Sequence, residues 1–214
     1  MNFELSDICS LVSSLEKNLI QNSKSNIISS YEHWNILNTV NHVCSWQNNA
    51  INKVENRLKG IAVNYHSTTT TIEQVNLHYY EKTKNYSKQK TFKFIDEVDA
   101  KIRTLATSIN GKETLKELAP SGFDGTVFDY LKMDLIYHPI NHYIYYSLKN
   151  DEYDNFNLIE KLISQTRQSV FNDLGVIDFE YFMESEMYDL IIKKGYEWKN
   201  NDLYIYIANK LHKQ

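Results

Sequence analysis

The chain has 214 residues, 42% of them hydrophobic and 23% charged, a balance that suits a folded globular protein and excludes a disordered one. Its formal net charge is −4 and its pI is near 6.0, so the basic footprint expected of a nucleic-acid-binding protein is missing. No apolar run approaches the ~20 residues of a membrane-spanning helix. The opening stretch Met1-Asn2-Phe3-Glu4-Leu5-Ser6-Asp7 lacks the basic-then-apolar layout of a signal peptide, and a cytoplasmic location is expected. The two cysteines, Cys9 and Cys44, are too few for a disulfide scaffold and are not spaced as a zinc motif.

Six glycines and two prolines are few for this length and favour long helices over strands and turns. In the first segment Leu5, Ile8, Val12, Leu15 and Leu19 step by threes and fours, which puts them on one helical face. The Asn- and Ser-rich run from Gln21 to Ser30 reads as a loop. A second helix is expected from about Asn35 to Leu58, with Ile36, Val40, Val43, Ala50, Val54 and Leu58 as its apolar stripe and Gly60 as its stop. After a polar connection over residues 61–69, Thr70 and Glu73 have capping-box spacing for a third helix. Asn85-Tyr86-Ser87 interrupts or re-caps it, and Ile95, Val98, Ile102, Leu105 and Ile109 then resume a clean helical period that ends at Asn110-Gly111. Breakers cluster from Pro120 to Gly125, and a further helix follows from about Thr126 to Lys149. Beyond Asn150 come an acidic turn and helical patterns over about residues 155–173, 178–194 and 202–214. The expected architecture is all-α: a four-helix bundle over residues 1–150 and a helical extension over 151–214, packed on the bundle or at an interface.

The most informative chemistry lies on the last bundle helix. Leu131, Leu135, His138, His142 and Tyr145 form one stripe, so two histidines occupy positions where a bundle helix places core residues. Four residues apart, they project from one face within reach of a single metal ion. His42, beside the stripe of the second helix and one turn from Trp46, could supply a third imidazole. Three such ligands from two helices suit Zn²⁺, Ni²⁺ or a similar borderline ion and leave positions open for water or substrate. A structural reading stands beside this one, because buried histidines also pair with tyrosine hydroxyls, and Tyr130, Tyr137, Tyr143, Tyr145 and Tyr146 share that helix. Pro139, between the two histidines, removes one helical hydrogen bond and crowds the Leu135 carbonyl, so the helix should kink or loosen there.

Other candidates are weaker. Cys44 lies about 200° around the helix from His42 and reads as a buried structural thiol. His33, His66 and His78 fall in or near connections and should be solvated. The pair Glu180 and Glu184 reads as a wet face, and Tyr181, Phe182, Trp198, Tyr204 and Tyr206 read as packing of the extension. No Gly-rich phosphate loop and no nucleophile elbow are present.

The segment from Trp34 to Trp46 with its histidine at His42, Val75-Asn76 ahead of Tyr80-Glu81, and the pair His138 and His142 together resemble the DinB-like superfamily of four-helix bundles. Within it, the branch related to the colibactin self-protection protein and DfsB is the nearest, and the resemblance covers about residues 1–150. It implies helices running up-down-down-up with a long crossover between the second and third, a homodimer, and a divalent metal such as Zn or Ni on His42, His138 and His142. It further implies thiol transfer or detoxifying hydrolysis of a small molecule. The alternative is a metal-free binding or self-protection protein of the same fold, whose pocket Trp46 and Tyr145 would line. Pro139 between the two ligands departs from the family pattern, and residues 151–214 have no counterpart in it.

Overall fold

The computed structural model describes residues 2–23, 34–61, 71–109, 126–152, 154, 155 and 157–159. Every element among them is helical: α1 (Asn2–Asn22), α2 (Ile36–Leu58), α3 (Ile72–Thr83), α4 (Lys88–Ser108), α5 (Val127–Lys132), a π-helical stretch (Met133–Tyr137) and α6 (His138–Asn150). The last three follow one another without a break. No described helix is long and apolar enough to cross a membrane. Most of the loop from Gln21 to Ser30, most of the connection over 61–69, the breaker cluster of 120–125, and all of the three late helices beyond residue 159 lie outside the described residues. So do His33, His66, Glu180, Glu184 and the late aromatic cluster.

The chain divides into two compact units, one of Met1–Ser23 and Ile36–Pro139 and the other of Lys24–Asn35 and Ile140–Gln214. In the first, α1 packs most extensively on α4, and α2 packs on both α4 and α3. The expected stripes form its core: Ile8, Val12, Leu15 and Leu19 of α1, Val40, Val43, Ala50 and Val54 of α2, and Ile95, Val98, Ile102 and Leu105 of α4 are all buried. Each fully buried aliphatic side chain contributes about 1.5–3 kcal/mol, so this shared face holds the unit together. Leu58, the last residue of α2, departs from its expected core position and is 38% exposed.

Polar contacts fix the helix directions. Ser10 donates to Asp99 at 3.1 Å and Lys17 pairs with Asp96, so α1 and α4 run antiparallel. Asn41 donates to Thr91 at 3.1 Å and Lys101 to Asn48 at 2.6 Å, so α2 and α4 run parallel. A parallel pair needs a connection that returns along the unit, and the segment holding α3 provides it. α2 differs from the one-faced helix that its pattern suggests: residues 39–47 are all buried. Ser45 Oγ donates to the Asn41 carbonyl at 2.7 Å and the Asn41 amide donates to Thr91, while Asn41 Oδ1 is buried without a hydrogen-bond partner among the described residues.

The helix ends explain the boundaries. Gly60 has φ +73, its N–H donates to the Arg57 carbonyl, and the Ile61 N–H donates to the Asn56 carbonyl, a Schellman stop. The capping box of α3 lies one residue later than Thr70 and Glu73 suggest: Thr71 Oγ1 accepts from the Gln74 N–H, and the Thr71 N–H donates to Gln74 Oε1. Both pairs have the right spacing, and only the structure chooses between them. Ser87 caps α4 by accepting from the Lys90 N–H, so the interruption at residues 85–87 is a new start.

Candidate metal centre

Pro139 loosens its helix, on the N-terminal side. Without an N–H and with its ring against the Leu135 carbonyl, it cannot follow a regular turn. The preceding turn widens instead, and the His138 N–H bonds to the Met133 carbonyl, five residues back. Asp134, Leu135 and Ile136 are all buried within this widened turn. Past the wide turn, α6 resumes the ordinary pitch, and His138 and His142 stand one turn apart on it.

His42 on α2 meets His138 at a ring-centroid separation of 5.2 Å, the planes at 69°. His42 is 3% exposed and His142 8%, whereas His138 is half-buried. His42, His138 and His142 each offer a ring nitrogen, and these atoms all lie within 4.8 Å of one another. Ideal tetrahedral zinc–histidine geometry needs about 3.3 Å between nitrogens, a closure that small ring rotations can supply. The donor set suits a borderline divalent ion. Burial pulls the pKa of His142 down to about 4, so near neutral pH its imidazole is uncharged and keeps a lone pair for a cation.

Trp46, one turn beyond His42, forms a wall of the site. Its ring centroid lies 6.2 Å from that of His138, 6.5 Å from that of His42 and 5.6 Å from that of Tyr79, all edge-on. Its Nε1 donates to Asn76 Oδ1 at 2.9 Å, which locks the indole. Tyr145 is buried three residues past His142, with Lys149 Nζ 5.7 Å from its ring centroid. Among the weaker candidates, Cys44 is fully buried and its thiol is pushed up by burial and the nearby Glu16 charge, as fits a structural cysteine. His78 is exposed.

Asp134 was not singled out by the pattern. It is 5% exposed, and burial pushes its carboxyl up to about 7 against the opposing pull of Lys53 and of the Tyr130 hydroxyl. Lys53 is pulled down by its own burial, and Tyr79 is pushed up to about 12 by burial and by Asp134. These couplings place Asp134 in the unit that holds His42, Trp46 and His138. A signal for it did exist: Asp134, His138 and His142 step by four, with the acid in the apolar run Leu131 to Ile136.

In comparisons with protein-family models, curated proteins and solved structures, nothing matches this chain.

Proposed function

We propose that His42, His138 and His142 hold a divalent cation, zinc or nickel, and that the protein uses it to act on a small molecule by thiol transfer or detoxifying hydrolysis. The observation that carries this reading is the convergence of three ring nitrogens within 4.8 Å of one another. The DinB-like resemblance adds to it. The directions of α1, α2, α4 and the segment bearing His138 are compatible with an up-down-down-up bundle: His42 meets His138, while Lys53, eleven residues later, lies near Asp134, four residues earlier.

When bound, the cation supplies a Lewis acid that lowers the pKa of a water or thiol in its open position. The chain does the rest. His42 and His142 present their imidazoles from buried positions, and Trp46 shields one side from solvent. Asp134, raised to about 7 by burial, can exchange a proton near neutral pH beside Tyr130 and Lys53, four residues before His138. The indole, with Tyr79 and the two imidazoles around it, also favours a second reading, a metal-free protein that binds an apolar ligand against Trp46.

The deciding measurement is elemental analysis of untagged protein beside a His138→Ala, His142→Ala double variant. Near-stoichiometric metal in the wild type and its loss in the variant is the expected result. Metal affinity should also fall between about pH 7.5 and pH 5, since a protonated imidazole is not a ligand. No metal in either protein after incubation with Zn²⁺ and Ni²⁺ would overturn the proposal and leave the metal-free reading.

A further inference from the structure

A second concave feature lies in the first unit, between α2, α3 and α4, with a volume of about 480 Å³. That size suits a small molecule. Among the described residues, four lysines line it, Lys82, Lys90, Lys93 and Lys101, against a single glutamate, Glu97. The excess is unexpected in a chain with 27 acidic and 23 basic side chains.

Two of the lysines are held by neutral groups. Lys101 Nζ donates to Asn48 Oδ1 at 2.6 Å, and Lys90 Nζ sits 3.9 Å from the centroid of the Tyr86 ring. Glu97 approaches Lys93 at 3.8 Å, but both side chains are more than half exposed and the pair is loose. A concave surface with this much uncompensated positive charge focuses its field on an anion. Three asparagines, Asn48, Asn49 and Asn52, add amides that donate and accept along the α2 side. Tyr86 and Phe94 meet edge-on at 6.1 Å and form an aromatic corner beside the ammonium groups. The side chains around the cleft thus offer cations for a charged group and ring faces for a flat one.

We propose that this cleft binds a phosphorylated small molecule carrying a flat ring, of the nucleotide kind. The phosphates lie among Lys82, Lys90 and Lys93, and the ring lies against Tyr86 and Phe94. Charge-assisted hydrogen bonds from the ammonium groups supply most of the affinity, and the aromatic corner and the asparagine amides select the ring. The site is separate from the three histidines and does not depend on metal.

The test is calorimetric titration of the full-length, chelator-treated protein with ADP, pyrophosphate and adenosine, at low salt and at about 0.15 M salt. ADP should bind tightest, pyrophosphate less tightly and adenosine least, with ADP affinity falling as salt rises. The Lys90→Gln, Lys93→Gln double variant should bind ADP at least about tenfold more weakly, since two charge-assisted contacts are lost. Lys59→Gln, outside the cleft, should leave it unchanged, and far-UV circular dichroism should show the same helix content in all three proteins. Absence of saturable binding of any probe below about 1 mM would overturn the proposal. So would an unaltered affinity in the double variant, or ADP binding no tighter than pyrophosphate. Loss of metal from the histidine variants would change none of these outcomes, so the two sites stand or fall separately.

Discussion

Asp134 and His142 are both buried, and burial favours the neutral form of each, with opposite consequences for stability. The folded-state pKa of Asp134 is raised from 3.8 to about 7, so the folded protein binds more protons than the unfolded chain in that window. Stability present below about pH 4 is therefore lost as pH rises toward 7. For His142 the folded pKa is lowered from 6.5 to about 4, the unfolded chain binds more protons, and stability is lost as pH falls through that range. The two contributions run in opposite directions between about pH 4 and pH 6.5, each on the order of a few kcal/mol. Asp134→Asn removes one side of the balance. Relative to wild type it should gain stability on the order of 3 kcal/mol or more between about pH 4 and pH 8, measured by denaturant unfolding of chelated protein. A flat difference curve would mean that the Asp134 carboxyl ionises in the fold as readily as in water.

At the scale of elements, Pro139 and the wide turn before it are one feature. The proline removes a donor, the His138 N–H reaches back to Met133, and the extra residue rotates the histidine stripe relative to Leu131 and Leu135. Pro139→Ala returns an N–H to a helix interior, where proline costs about 3 kcal/mol. The variant should melt at a higher temperature and yet bind metal more weakly, because a regular turn re-aims His138 away from His42. Higher affinity together with higher stability would separate the proline from the geometry of the site. The caps show how far local pattern reaches. Gly60 and Ser87 stop and start their helices as the sequence suggests, whereas two overlapping Thr-x-x-Glu/Gln pairs left the start of α3 ambiguous by one residue.

At the scale of the first unit, the core and the site are separable. Ile102 is 1% exposed on the core stripe of α4 and is not one of the clustered histidines. Ile102→Ala should cost about 2–5 kcal/mol of stability while leaving metal stoichiometry intact in the folded fraction. His42→Ala should do the reverse, abolishing stoichiometric metal while costing less stability when the metal-free proteins are compared. If both variants lost metal and stability together, the histidines would be packing groups and not ligands.

The sequence alone determined the all-helical class, the core stripes of α1 and α4, the stop at Gly60 and the presence of two histidines on one helical face. These are local properties, set by the 3.6-residue period and by backbone preferences at single positions. Only the tertiary structure decided that His42 meets His138, that residues 39–47 of α2 are buried all round, and that Asp134 turns inward. Only it gathered four lysines from α3 and α4 around one cleft. Each of these depends on which helix faces which, and on the rotation that one widened turn introduces. Neither quantity is written in the periodicity of a single segment.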